Sequence, residues 1–396
     1  MATANQILEG SSTPAAPGPG LLVMLASMGA DELAEVLANL ASFHPADDLI
    51  IATPDVAAVD AWPQFRIVPV SSTAASWTLT ASDFVNAYQL AEENHARAIL
   101  ILGPGSESLT TPALSTLAQA VASSSVDMAV PCYDLPANAG LINSSILYPL
   151  TRSLFASRVR FPLAVDLGLS VRMAQRLATA AQRFTSVNQD LSILWPVNEA
   201  ALAGFSISEY EVGPRMTPQP ADPSINSILA SVTGSLFADI DAKAAFWQRA
   251  RVLPAAKQSL SPSAATEASA DITPMLDAFR LAYTNLREIW SLVLPPNTLL
   301  GLKRLYGTDA ASFHMPENLW ARIVFDFLLA YRLRTINRGH LLGALIPLYL
   351  ACVASHINVT ASGTDPERHI EAMAAAFEAD KPYLVSRWRW PDRFNP

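Results

Sequence analysis

Cysteine is nearly missing from this chain of 396 residues: Cys132 and Cys352 are the only two. Both stand in apolar surroundings, AVPCYD and YLACVAS, far apart in sequence. That spacing excludes a disulfide framework or a cysteine-built zinc site and points to two buried free thiols in a reducing cytoplasm. Charge is also scarce, at 15% of residues, and its balance is acidic with a formal net charge of −9. The clustered basic face that nucleic acid requires is therefore lacking. No uncharged apolar run reaches the ~18 to 20 residues of a membrane span. The longest, Leu341 to Ser355, contains Pro347 and reads as a buried helix. Residues 1 to 20 have no basic start and dissolve into SSTPAAPGPG, expected to be a disordered tail and not an export signal. An internal repeat, a glycine-rich phosphate loop, metal-spaced cysteines and a Gly-x-Ser-x-Gly elbow are missing as well.

What is present is apolar: 51% of the chain is hydrophobic, enough to bury a large core in about two compact units. Short apolar runs at Leu21 to Ala26, Leu49 to Ala52, Ala98 to Leu102 and Met128 to Val130 alternate with helical patterns. After the first run Asp31 can cap a helix whose Leu33, Val36, Leu37 and Leu40 form one apolar stripe. This strand, helix, strand rhythm predicts an α/β fold with a mostly parallel sheet and ligands at the carboxyl ends of its strands. A further strand is expected at Ile207 to Val212 and a helix from Asn226 to Arg249. The Ala-, Ser- and Pro-rich stretch 254 to 273 reads as a linker or loop. The domains expected are thus a tail (1–20), an α/β domain (21–253), a linker (254–273) and a helical C-terminal domain (274–396). In that last domain Trp320, Ile323, Val324, Phe327, Leu328 and Tyr331 recur at helical spacing, with Arg322, Asp326 and Arg332 on the other faces.

Several separated stretches then matter together. Thr111 and Pro112 open an apolar helix just beyond the turn Pro104, Gly105, Ser106. The block LYPLTRSLFASRVRFPLAVDLGLS runs from Leu147 to Ser170. Gly204 and Phe205 are followed by Gly213 and Arg215, then by Gly234, Phe237 and Trp247, and the tail carries Lys381, Pro382, Tyr383 and Trp388. These resemble the retaining A-type glycosyltransferases that make glucosyl- and mannosyl-glycerate or their 3-phospho forms. The resemblance implies an A-type fold, a nucleotide-sugar donor and a small polar, glycerate-like acceptor.

The departures are concentrated in the acids. Where the family carries an Asp-x-Asp turn this chain has Pro104 and Ser106, and where the family carries a metal-binding histidine it has Thr217. Ile193 and Ala30 stand where two further family acids are expected. Neutral Pro, Gly and Ser cannot hold the Mg²⁺ or Mn²⁺ that stabilises a diphosphate leaving group, so no divalent metal cofactor is expected. The resemblance leaves Gly105, Ser106, Glu107 and Arg215 on the donor side, Arg215 being able to meet phosphate oxygens directly. It leaves Arg152, Arg158 and Arg160 for an acceptor anion, or as an ordinary exposed helix face. Asp166 is the surviving acid of the acceptor turn and reads as catalytic or as a turn cap, with Val165 crowding it where a glycine is expected. His44 is read as a helix end, and His340 and His356 as flanking the apolar helix. Two functions are implied: metal-independent sugar transfer, or a catalytically silent homologue acting as a cytoplasmic binding or interaction protein, with a homodimer a possibility for either.

Overall fold

The computed structural model describes residues 20–26, 28–42, 48–55, 61–70, 77–189, 192–216, 224–250 and 270–391. The expectations for the tail before Gly20, for His44, for Thr217 and for most of the 254–273 linker lie outside the described residues.

Seven strands form one sheet: β1 (Leu21–Leu25), β2 (Leu49–Thr53), β3 (Arg66–Pro69), β4 (Ala98–Leu102), β5 (Met128–Asp134), β6 (Leu167–Ser170) and β7 (Ile207–Pro214). Their order is β3-β2-β1-β4-β6-β5-β7, and β6 runs antiparallel to both of its neighbours while the other pairings are parallel. The α/β expectation holds. β1, β2 and β4 are buried along their whole length, which is why they read as continuous apolar runs and not as alternating ones. Leu22 and Met24 face one core, Leu21, Val23 and Leu25 the other.

Helices cover both faces. On one side lie α1 (Ala30–Ala41) and α3 (Thr111–Ala122), on the other α2 (Ala81–Glu93) and α5 (Val171–Thr185). The stripe Leu33, Val36, Leu37, Leu40 is buried as expected. The cap of α1 is Gly29, not Asp31: the Glu32 carboxylate accepts the Gly29 N–H at 2.8 Å, and Asp31 lies inside the first turn, where its charge suits the helix dipole. Thr110 caps α3, with Pro112 in the first turn. Strands β3 and β6 have no counterpart among the expected elements. β3 is a half-exposed edge strand of four residues, and β6 is a four-residue strand contained in the basic block. Both are too short for a period to show.

The rest is helical: α4 (Tyr148–Phe155), α6 (Pro196–Ala203), α7 (Ile225–Ala242), α8 (Ala244–Trp247), α9 (Thr273–Asn285), α10 (Arg287–Val293), α11 (Pro296–Tyr306), α12 (Glu317–Leu333), α13 (Arg338–Ala361) and α14 (Pro366–Arg389). The helix expected from Asn226 to Arg249 is broken at Lys243. Lys243 turns inward there to meet Glu199 at 2.9 Å and Asp239 at 2.5 Å. One apolar cluster joins residues of α4, α7 and α8 to those of α9 to α14. The expected boundary near 254–273 is therefore not a packing boundary, because the last helices of the first part bury their apolar faces against the helical region.

Helix α13 is long and apolar enough to cross a membrane, but 67% of its apolar window is buried within the protein. It is a core helix. Pro347 opens its hydrogen-bond ladder, and the Trp290 indole of α10 donates to the nearby Ala344 carbonyl at 2.9 Å. His356 is not at the helix end: it is buried, with Nδ1 2.8 Å from Nδ1 of His369. Trp320 and Trp388 are core, whereas Trp390 is 61% exposed.

Candidate functional site

The turn after β4 lies at the carboxyl edge of the sheet, between strands that end or begin there. Because β6 is antiparallel, its start lies beside the end of β4, with Ile101 opposite Leu167. That arrangement brings Asp166 to Gly103, whose N–H donates to Asp166 Oδ1 at 3.1 Å across 63 residues of sequence. Val165 packs directly on Gly103, where a Cβ would lie 2.7 Å from the Val165 Cβ. A glycine is needed there for close approach.

A β-bulge brings the third component. The register of β5 and β7 shifts between Cys132 and Tyr133, so that Val212 is an extra residue, and Gly213 takes φ of +76°. Bulges bend the strand and re-aim the side chains just beyond them. The side chain re-aimed here is Arg215, whose guanidinium fills the corner. Its Nε donates to Asp166 Oδ2 at 2.8 Å, Nη2 to Asp166 Oδ1 at 3.1 Å and to Pro104 O at 2.8 Å, and Nη1 to Met216 O at 2.9 Å. Tyr133 completes the set by donating its hydroxyl to Asp166 Oδ2 at 2.8 Å.

The electrostatics are those of a closed pair. Asp166 has no exposed surface and Arg215 is 6% exposed. Burial works against the Arg215 charge, but the adjacent carboxylate outweighs it and raises the guanidinium pKa. Burial first, and then the negative charge of Asp166, push the Tyr133 hydroxyl well above its ordinary value, so it stays a neutral donor. Four of the five N–H groups of the guanidinium are engaged inside the protein.

Arg215 also covers the turn. Gly105 has φ of +84°, and a Cβ on it would collide with Arg215 Nη1 and lie 2.8 Å from the Met216 carbonyl. Ser106 is buried, and its hydroxyl has no hydrogen-bond partner among the described residues. One Glu107 carboxylate oxygen is likewise buried without a hydrogen-bond partner among the described residues. Ser108 stitches the turn to the end of β7: its hydroxyl donates to the Gly105 carbonyl at 2.6 Å and accepts the Met216 N–H at 3.1 Å. Among the described residues no group of three or more His, Cys, Asp or Glu side chains is placed to hold a metal ion.

Gly105, Ser106, Glu107, Asp166 and Arg215 thus lie at one corner. The basic block is used elsewhere. Arg152 is buried and not on an exposed face: it donates to Glu371 at 2.5 Å, Glu378 at 3.0 Å and the Tyr148 hydroxyl at 3.0 Å. Arg160 makes a two-pronged pair with Glu367 at 2.9 and 3.0 Å and donates to Ser144 at 2.9 Å. These pairs clamp α14 to α4 and to the segment that follows it. Arg158 is half-buried in the segment after α4. The partners Glu367, Glu371 and Glu378 were legible, because spacings of four and seven residues put them on one helix face. Tyr133 carried no such signal, since β5 extends beyond the apolar run that marked it.

Beside the corner lies a cavity of about 330 Å³. Its walls include Trp77, Tyr133, Leu147, Phe161, Val165 and Val232, and Arg215 borders it as the one charged side chain among the described lining residues.

No protein-family description matches the chain, and no curated protein matches it. Among solved structures, glucosyl-3-phosphoglycerate synthase from Mycobacterium tuberculosis with Mn²⁺, uridine diphosphate and glucosyl-3-phosphoglycerate superposes with a TM-score of 0.36 and 11% identity over 56% of this chain and 78% of that one. CMP:2-keto-3-deoxy-manno-octonic acid synthetase with CTP gives a TM-score of 0.33 and 14% identity over 55% of this chain and 98% of that one. A further mycobacterial protein gives 0.36 and 12% over 55% and 74%. The likeness at these values is partial and distant, and what those proteins bind does not pass to this chain with it.

Proposed function

We propose that this chain is a glycosyltransferase-like scaffold that acts by binding a small molecule, not by transferring a sugar. The observation that carries the reading is the Arg215–Asp166 pair. It lies against Pro104 and Gly105, where the resemblance put the donor diphosphate, and its charges neutralise each other. A diphosphate would have to displace a buried, two-pronged ion pair to reach the turn, and uncovering such a pair costs several kcal/mol.

Thermal melting tests it. The chain is melted with UDP, GDP, UDP-glucose and GDP-mannose, each with and without Mn²⁺ or Mg²⁺. A ligand present at a hundred times its Kd would add about 2.7 kcal/mol and raise the melting temperature by a few degrees. The binding reading expects no shift from any of them.

A second reading is favoured by the presence of a guanidinium at that edge with one N–H still available. Here Arg215 swings from Asp166 to the donor phosphates, replaces the divalent cation and frees Asp166 to orient a glycerate-like acceptor. It expects a metal-independent shift with a nucleotide sugar, and sugar transfer that Arg215→Gln abolishes.

A further inference from the structure

The cavity beside the Arg215 corner has a chemistry of its own. Its walls are aromatic and branched aliphatic, and Phe161 meets Tyr133 edge-on with ring centroids 5.0 Å apart. Its one charged neighbour, Arg215, is neutralised by Asp166. A charged ligand placed there would surrender its hydration and gain no counter-ion, which is strongly unfavourable. The polar groups that remain are few: Asn138, Asn143, Thr78 and Tyr349. The Asn143 amide already donates to the Arg160 carbonyl at 2.9 Å.

Tyr349 stands apart from the others. It lies on the core helix α13, is 5% exposed and lines the cavity, yet its hydroxyl has no hydrogen-bond partner among the described residues. The Tyr349 hydroxyl is not sealed inside the protein but opens into the cavity, where a ligand oxygen can reach it. Burial, and after it the neighbouring Cys352, raises its pKa well above the ordinary phenol value, so the group is a neutral donor throughout the physiological range. An apolar cavity of about 150 Å³ accepts benzene. By that scale the volume here suits an apolar body of roughly a dozen non-hydrogen atoms.

We infer that this cavity is a binding site for a small uncharged, largely apolar molecule whose single oxygen function accepts the Tyr349 hydroxyl hydrogen. The inference deepens the binding reading above and rests on it: the corner that would take a phosphate is closed, and the space next to it selects for the absence of charge.

Three ring systems of one shape test it by calorimetry on the full chain: naphthalene, 2-naphthol and naphthalene-2-sulfonate. The wild-type protein is expected to bind 2-naphthol about three- to tenfold more tightly than naphthalene, the range of one net hydrogen bond. It should bind the sulfonate at least about a hundredfold more weakly than 2-naphthol. Tyr349→Phe should erase the preference for 2-naphthol and leave naphthalene binding unchanged. Ile228→Trp, which enlarges a half-buried side chain of the lining, should abolish binding of both neutral compounds and serves where the first variant fails to fold. Absence of binding by naphthalene and 2-naphthol at their solubility limits overturns the inference, and so does a preference for the sulfonate. A nucleotide sugar tested in parallel separates the two ideas. Neutral compounds failing while nucleotides also fail removes only the ligand class, whereas nucleotide binding removes the reading beneath it.

Discussion

Replacing Asp166 by Asn removes one charge from the closed corner and changes almost no volume. The wild-type carboxylate accepts four hydrogen bonds, from Gly103 N–H, the Tyr133 hydroxyl and two nitrogens of Arg215. An asparagine can accept through one oxygen only, and its amide hydrogens would face donors on the other side. Arg215 would be left as a buried cation without its anion, a situation that costs about 3 to 5 kcal/mol. For a protein whose whole stability is of the order of 5 to 15 kcal/mol, that is a large fraction. Arg215→Gln should cost a comparable amount, and the double variant should be less unstable than the sum by about 2 to 3 kcal/mol, because each change removes the reason for the other's penalty. Urea unfolding followed by tryptophan fluorescence and circular dichroism measures all three. A loss below about 1 kcal/mol for Asp166→Asn, with no coupling to Arg215, would refute the argument. The pair would then behave as a solvated surface pair, and the corner would be free to open to a phosphate.

Two further changes probe the surroundings. Gly105→Ala puts a side chain at φ of +84° against Arg215 Nη1 and the Met216 carbonyl. It should cost about 2 to 4 kcal/mol by melting or denaturant, and a tolerated alanine would mean that Arg215 does not rest on the turn. Burial, reinforced by neighbouring His369 and by Arg160, holds His356 down to about 4. Its folded pKa lies below its unfolded value near 6.5, so its contribution is complete above that value and is lost as pH falls toward 4. The full loss is about 3 kcal/mol. His356→Gln should flatten the stability profile between pH 6.5 and 4 relative to wild type, and two parallel profiles would rule the residue out as the cause.

Much of the architecture is written locally. The buried strands at Leu21, Leu49 and Ala98 show as unbroken apolar runs because both faces of a central parallel strand are covered, and the stripe of α1 shows because a helix buries one face at a fixed period. What escaped has a physical cause in each case. A four-residue strand such as β6 has no period to display, and its antiparallel direction depends on its neighbours. Gly29 caps α1 because Glu32 folds back to it, a choice that Asp31 in the sequence did not reveal.

The candidate site divides in the same way. By itself the sequence determined which residue types stand at the carboxyl edge: a neutral Pro104, Gly105, Ser106 turn, an acid at 166 and a guanidinium at 215. Only the tertiary structure decided that the last two meet and close on each other, because that meeting needs the reversed strand β6 and the bulge at Val212 to converge on one point. It likewise decided that Arg152 and Arg160 pair with acids of α14. A side chain's type is local, whereas its partner is set by how distant segments pack, and ionic groups take their chemistry from the partner.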